Sequence, residues 1–239
     1  MKRALVTGGS GGIGAAVARR LAAAGLHVVV HANRNRDAAE AVAADIRASG
    51  GSAETIAFDV ADGEASAQAL EQLLEAGPIQ VLVNNAGIHS DAPLAGMTRE
   101  QWHKVIDVSL NGFYHVTQPL TMPMLRSRWG RIVNITSIAG LTGNRGQVNY
   151  AAAKGALHAA TKSLSLELAS RGVTVNAVAP GIIQTEMIDG VFDAKAIENL
   201  VPMKRAGRAD EVASLVGFLA SEQASYISGQ IISVNGGMI

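Results

Sequence analysis

The chain has 239 residues, is 48% hydrophobic and only 17% charged, and balances 20 Lys and Arg against 20 Asp and Glu. That is enough chain for one open α/β domain with a sizeable core, and the composition excludes a disordered segment. A net charge of zero provides no global field for nucleic acid or an anionic membrane, and the lack of Cys excludes disulfides, thiolate catalysis and cysteine-based zinc sites.

At the start, only Ala4, Leu5 and Val6 precede polar Thr7 and a run of glycines, too short for a signal-peptide core. No stretch approaches the ~20 apolar residues of a membrane span, so a soluble, cytoplasmic protein is expected. In chain order, Arg3–Thr7 reads as a strand, Gly14–Ala24 as a helix, His27–His31 as a strand and Asp37–Ser49 as a helix. Glu54–Phe58 (strand), Glu64–Glu75 (helix), Val81–Asn84 (strand) and Arg99–Leu125 (helix) follow. Arg131–Thr136 (strand), Ala151–Ser170 (helix), Val173–Val178 (strand), Ala209–Ala220 (helix) and Ile231–Val234 (strand) complete the series. Val- and Ile-rich strands with little polar alternation predict burial on both faces, and the βα alternation predicts a doubly wound parallel sheet covered by helices. No linker divides the chain, so residues 1–239 read as one domain. Pro180–Gly207 mixes Gly, Pro and isolated apolar residues after a strand end, and reads as a lid, with residues 182–201 its centre.

Thr7-Gly8-Gly9-Ser10-Gly11-Gly12-Ile13-Gly14 joins the first strand to the first helix, the setting a dinucleotide-binding loop requires. Glycines let the backbone approach a pyrophosphate, and the helix start offers free N–H groups. A tight turn without a ligand would look similar. After the second strand, where a carboxylate would bind a ribose 2′-hydroxyl, the chain reads Asn33-Arg34-Asn35-Arg36, and the first acid is Asp37. Arg34 could pair with a 2′-phosphate while Asn33 hydrogen-bonds it, which favours NADP over NAD.

Of the three Tyr, only Tyr150 has a Lys four residues on, Lys154, which puts both on one helix face. A nearby ammonium lowers a phenol pKa, so such a pair can do acid–base chemistry, although simple packing of a ring against a Lys stem gives the same spacing. Ser137 lies thirteen residues before Tyr150, just past a strand end, where open α/β sheets place their ligand crevice.

With these residues in place, the chain resembles the short-chain dehydrogenase/reductase family, in particular its bacterial 3-oxoacyl-[acyl-carrier-protein] reductase branch. The resemblance spans essentially the whole length and rests on TGGSGGIG at 7–14, Asp59-Val60, NNAG at 84–87, Ser137, YAAAK at 150–154, Pro180-Gly181 with Thr185, and VNGG at 234–237. It implies a seven-stranded Rossmann-like sheet. It also implies that Gly8, Ser10, Gly11, Gly12, Ile13 and Gly14 hold the cofactor, with Asp59 and Val60 at the adenine and Asn85, Ala86 and Gly87 along the cofactor channel. Pro180, Gly181, Ile183 and Thr185 would meet the nicotinamide half. NADP(H) would exchange hydride with the C3 carbonyl of an acyl thioester on acyl carrier protein or CoA, Tyr150 would protonate the oxygen, and Ser137 would hydrogen-bond it. Lys154 would lower the Tyr150 pKa and hold the ribose, and no metal would be needed. A homotetramer is implied, with the fourth and fifth helices and Ile231–Ile239 at its interfaces.

The chain departs from the family at Ser109-Leu110-Asn111-Gly112, where the pattern is N-L-x-G: Ser109 occupies the position of an Asn that supports a water path to the Lys. A hydroxyl has a different donor set, and Asn111 is expected on another helix face. Gly11 also stands where many NADP-dependent relatives carry a basic residue. Arg126, Arg128 and Arg131 cluster before the fifth strand and Arg171 follows the catalytic helix; in acyl-reductase relatives, basic residues at the positions of Arg128 and Arg171 dock the acidic carrier. Such a patch is expected beside the site entrance. His89, His103, His115 and His158 lack metal-ligand spacing and read as structural or surface residues, and Trp102 and Trp129 as packing anchors. Two other readings stay open: the same chemistry on another ketone or alcohol, and an NADP(H) sensor without turnover.

Overall fold

Along each central strand, alternate residues enter different cores, and this alternation sets the layers. Ala4, Val6, Val28, Val30, Val81 and Val83 belong to one apolar cluster, whereas Leu5, Val29 and Leu82 belong to another. A sheet buried on both sides needs such uninterrupted apolar strands. The computed structural model describes residues 1–185 and 194–239.

In chain order the elements are β1 (Arg3–Val6), α1 (Gly12–Ala23), β2 (His27–Ala32), α2 (Arg36–Ala48), β3 (Ser52–Ala57), α3 (Gly63–Glu75) and β4 (Val81–Asn84). Then come α4 (Arg99–Ile106), a π-helical turn (Asp107–Asn111), α5 (Gly112–Ser127), β5 (Gly130–Ile135), α6 (Ala139–Thr142) and α7 (Val148–Leu168). The last are β6 (Val173–Pro180), β7 (Ile183–Gln184), α8 (Ala194–Leu200), β8 (Gly207–Arg208), α9 (Ala209–Leu219) and β9 (Ile231–Val234). The seven-stranded sheet has the order β3-β2-β1-β4-β5-β6-β9, and every neighbouring pair in it is parallel. Buried residues of α1, α2 and α9 line the first core; those of α3 and α5, with Leu168 at the end of α7, line the second.

The seven expected strands are all present, β3 starting two residues earlier than its sequence pattern. The long helix expected over 99–125 is broken: the π-helical turn inserts between α4 and α5, and Ser109 lies in it. Continuous apolar spacing hides such an insertion, because one wider turn changes the register without interrupting the pattern. The short α6 and the separate β7–β8 pair have no counterpart in the sequence reading. Of the lid expected over 182–201, residues 186–193 lie outside the described residues. No helix among the described residues is long and apolar enough to cross a membrane.

The strand order reverses between β1 and β4, so connections leave the two strands in opposite directions and a crevice opens at their carboxyl ends.

Candidate active site

Thr7, directly after β1, holds the two sides of that crevice together. Its Oγ1 accepts the backbone N–H groups of Asn85 and Ala86, each at 3.0 Å. The Asn85 amide returns two bonds, to the carbonyls of Thr7 at 3.0 Å and Gly8 at 2.9 Å. Gly8 has φ +61°, which side-chain-bearing residues rarely adopt, and a Cβ on Gly14 would stand 2.1 Å from the Gly8 oxygen. The loop therefore folds back on the first turn of α1 only with glycine at these positions. No side chain caps the N-terminus of α1, so its N–H groups stay available to an anion.

His31, which the sequence reading passed over, braces this loop from β2. Its Nδ1 accepts the Gly8 N–H at 3.1 Å and its Nε2 donates to the Phe58 carbonyl at 2.9 Å, an arrangement that only the neutral ring can make. Burial is the main reason that its pKa falls to about 4.

Gly8, Asn33, Arg34, Asp59, Val60, Ala86 and Gly87 line one cleft of about 680 Å³, joined by His103 and Lys104 of α4. Asn33 and Arg34 are exposed at its rim, and no acid precedes Asp37. The residues present thus fit a dinucleotide bearing a 2′-phosphate: a glycine turn for the pyrophosphate and, past the end of β2, a guanidinium with no acid before Asp37, while Asp59, Glu100 and Asp107 line other parts of the cleft. Ser10, Gly11 and Ile13 ride on the same loop, and Gly12 faces the Thr185 methyl, at 3.4 Å from a Cβ built on Gly12. Ile183 departs from expectation, since it is 4% exposed in the core and lines a different cavity with Ile182 and Gly207. It pairs with Gly207 of β8.

Ser137 and Tyr150 line an adjoining cavity of about 360 Å³ with Gly181, His89, Asp91 and Gln147. The Ser137 Oγ accepts the Ala139 N–H at 3.1 Å and shares the cavity with the Tyr150 phenol, where it favours the phenolate. Tyr150 is set at the start of α7 by Asn149, whose Oδ1 accepts the Tyr150 N–H at 2.8 Å. The Asn149 amide also donates to the carbonyls of Ser90 and Gln101, fastening α7 to the β4–α4 connection and to α4. Lys154 is 3% exposed; its Nζ donates to the Ile135 carbonyl at 2.9 Å and lies 5.6 Å from the Tyr150 ring centroid. Burial alone lowers its pKa to about 8, so it remains largely cationic at neutral pH.

The expected lowering of the Tyr150 pKa is not what this geometry produces. Burial raises it, Asp91 adds to the rise, and the Ser137 hydroxyl is the group that pulls it down. The desolvation cost of a buried phenolate exceeds the help that its neighbours give. His89, read as structural or surface, pairs with Asp91 at the cavity rim at 3.2 Å.

Ser109 is buried, its Oγ has no hydrogen-bond partner, and it lines a cavity of about 10 Å³ with Thr7 and Asn84. A Cβ on Gly87 would lie 3.1 Å from Lys154 Nζ and 3.6 Å from Ser109 Oγ, so the two groups flank Gly87. Asn111 is exposed and donates instead to Asp107 at 2.8 Å.

The arginine patch does not sit beside the site entrance. Arg128 follows α5 and Arg171 follows α7, both at the amino ends of the strands. At ~3.3 Å per residue, the six residues of β5 put ~20 Å of strand between Arg128 and Ser137. The length of α7 separates Tyr150 from Arg171 by ~30 Å. Arg131 leaves the patch altogether: it is 2% exposed, donates to the carbonyls of Gly130, Gly172 and Ser221, and stacks on Trp129 at 4.3 Å. Trp129 also takes Lys2 at 3.7 Å over its ring and donates to Glu222, as a packing anchor should.

A sequence-family model described as enoyl-(acyl carrier protein) reductase matches residues 8–239. A 3-oxoacyl-[acyl-carrier-protein] reductase FabG of Aggregatibacter actinomycetemcomitans is 46% identical over 236 residues, covering 98% of each chain. A protein of the same name from Staphylococcus epidermidis is 45% identical over 240 residues, 99% of this chain and 98% of the relative. A 3-oxoacyl-[acyl-carrier-protein] reductase of Synechocystis is 47% identical over 238 residues, 99% of this chain and 96% of the relative.

Proposed function

The chain belongs to the short-chain dehydrogenase/reductase family, and from that membership we propose that it reduces a 3-oxoacyl thioester, on acyl carrier protein or CoA, to the 3-hydroxyacyl thioester with NADPH. The observation that carries this reading is the convergence of Ser137, Tyr150 and buried Lys154 beside the glycine-loop cleft. Bound NADPH supplies the hydride. Asn33 and Arg34 would hold its 2′-phosphate, and the uncapped start of α1 would receive its pyrophosphate. Tyr150, kept protonated at neutral pH by burial, gives its phenolic proton to the carbonyl oxygen as charge develops there. Ser137 hydrogen-bonds the same oxygen and fixes its position. The Lys154 ammonium stabilises the phenolate left behind. The space beside the Ser109 hydroxyl suits one water, which would serve the path toward Lys154.

The family model's description favours a second reading, reduction of an enoyl thioester. There the proton ends on carbon. The Ser137 and Tyr150 hydroxyls both serve one oxygen, which suits a carbonyl better.

Carrier docking at Arg128 and Arg171, at the opposite strand ends from Ser137, would serve the site of a neighbouring copy in an oligomer. We take that oligomer to be a homotetramer. Exposed Tyr114 and Met122 on α5 and Leu166 on α7 offer it apolar surface. We place the reaction in the cytoplasm, where soluble acyl carriers are extended.

The test follows loss of NADPH and NADH absorbance with acetoacetyl and crotonyl thioesters. Oxidation of NADPH by the acetoacetyl substrate, with NADH and crotonyl slower by tenfold or more, is expected. Preference for the crotonyl substrate would overturn the assignment in favour of the second reading.

A further inference from the structure

Tyr150, Lys154 and His158 are spaced four apart on α7 and so form one stripe on one helix face. Opposite them, the last residue of β5, Ile135, and the two that follow it, Thr136 and Ser137, each face one member of the stripe. Lys154 Nζ donates to the Ile135 carbonyl at 2.9 Å. Ser137 and Tyr150 line one cavity, where the Ser137 hydroxyl favours the phenolate. The third contact is His158 Nε2 to Thr136 Oγ1 at 2.9 Å. No step of the proposed chemistry uses His158, yet it is 7% exposed and therefore a buried polar group.

Thr136 is tied to β6 at the same time, its Oγ1 lying 3.1 Å from the Val178 carbonyl. His158 and Thr136 share one hydrogen bond whose direction is set by which ring nitrogen carries the proton. Thr136 is held from the other side as well, by its own N–H to the Val178 carbonyl at 2.8 Å, and Ile138 N–H reaches the Pro180 carbonyl at 3.0 Å. Just beyond, α6 meets α7 so closely that a Cβ on Gly140 would lie 2.8 Å from the Gly155 nitrogen and 3.0 Å from the His158 ring. Burial and the ammonium groups of Lys162 and Lys154 disfavour a charged ring, with the Gly140 backbone acting the other way.

We propose that His158 is a positioning residue for Ser137: its hydrogen bond to the Thr136 hydroxyl locks Thr136 against α7 and thereby sets the Ser137 hydroxyl beside the Tyr150 phenol. The proposal rests on the reading of Ser137 and Tyr150 as the pair that binds and protonates the carbonyl. Misplacement of a positioned group by about 1 Å is worth up to ~100-fold in rate, so loss of one brace is expected to act on turnover rather than on cofactor binding.

The test compares His158→Phe, which keeps a ring of similar size without hydrogen-bonding nitrogens, His158→Gln, whose amide can donate or accept, and Thr136→Val, which removes the hydroxyl partner. With NADPH and the acetoacetyl thioester, His158→Phe and Thr136→Val are expected to lower kcat ~10-fold to ~100-fold with an unchanged Kd for NADPH. His158→Gln is expected to recover most of the loss, and the double variant to be no worse than either single one. Ultraviolet titration of Tyr150, isolated by difference against Tyr150→Phe, gives a readout that needs no substrate. Because Ser137 pulls the phenol pKa down, His158→Phe should shift the Tyr150 titration upward as Ser137→Ala does. A His158→Phe protein with wild-type kcat, or one whose Tyr150 titrates as in the wild type while Ser137→Ala shifts it, would overturn the proposal. Should His158→Phe not fold, Thr136→Val decides by the same measures. If the wild type reduces no 3-oxoacyl thioester, the substrate reading fails, and the Tyr150 titration still decides the role of His158.

Discussion

Lys154 has no carboxylate among its hydrogen-bond partners and is 3% exposed, and burial brings its pKa from 10.5 to about 8. Below pH 8 the folded chain therefore carries a buried cation that the unfolded chain would keep in water. Between pH 8 and 10.5 the unfolded state binds more protons than the folded one, so stability rises with pH across that window. A shift of this size corresponds to ~3 kcal/mol. Lys154→Met is thus expected to raise unfolding stability at pH 7 by up to ~3 kcal/mol, with the gain shrinking toward pH 10.5, and to abolish turnover. Urea unfolding at pH 7 and pH 10 checks this, and a variant equally destabilised at both would contradict it. His31 carries a comparable burden on the acid side, since its neutral ring is what accepts the Gly8 N–H.

At the scale of elements, the site is held by polar bonds between segments far apart in the chain. The Asn84 amide on β4 donates to Thr117 of α5 at 3.0 Å and to Asn134 of β5 at 2.9 Å. Asn134 donates in turn to Thr161 of α7 at 2.8 Å. This buried ladder ties α5 and α7 through the two strands whose ends carry Asn85 and Ser137. Asn134→Leu leaves Asn84 and Thr161 short of a partner and is expected to cost ~2 kcal/mol or more; thermal unfolding measures it, and an unchanged Tm would refute the ladder's role. The ladder was not legible in the sequence: Thr117 and Thr161 look like ordinary polar residues in apolar runs, and NNAG at 84–87 does not reveal the partners of Asn84. What could be read was what local pattern encodes: the Val- and Ile-rich strands, the glycine turn, and the four-residue step from Tyr150 to Lys154. Ser137 was legible because it follows a strand end. His31, Asn149 and His158 were not, because each acts through a partner on another element. The π-helical turn around Ser109 escaped for a different reason, since the apolar spacing runs on through it.

For the whole molecule, the sheet puts catalysis and the proposed carrier surface at opposite ends. Ser137 and Tyr150 stand at the carboxyl edge, and exposed Arg128 and Arg171 at the amino edge. In the proposed oligomer, docking on one copy would therefore serve chemistry on another. Arg128→Glu and Arg171→Glu are therefore expected to raise KM for the carrier-linked substrate tenfold or more while leaving the CoA-linked substrate within about twofold. Equal effects on both substrates would show that the arginines do not read the carrier.

The most direct test of the account is the Tyr150→Phe variant, assayed with NADPH and the acetoacetyl thioester alongside a fluorescence titration of NADPH. Loss of turnover by at least ~1,000-fold with an unchanged Kd for NADPH is expected, because the phenol supplies the proton and the cofactor cleft lies beside it. Retention of more than a tenth of wild-type kcat would contradict the assignment of Tyr150 as proton donor, and with it the reaction proposed for this site.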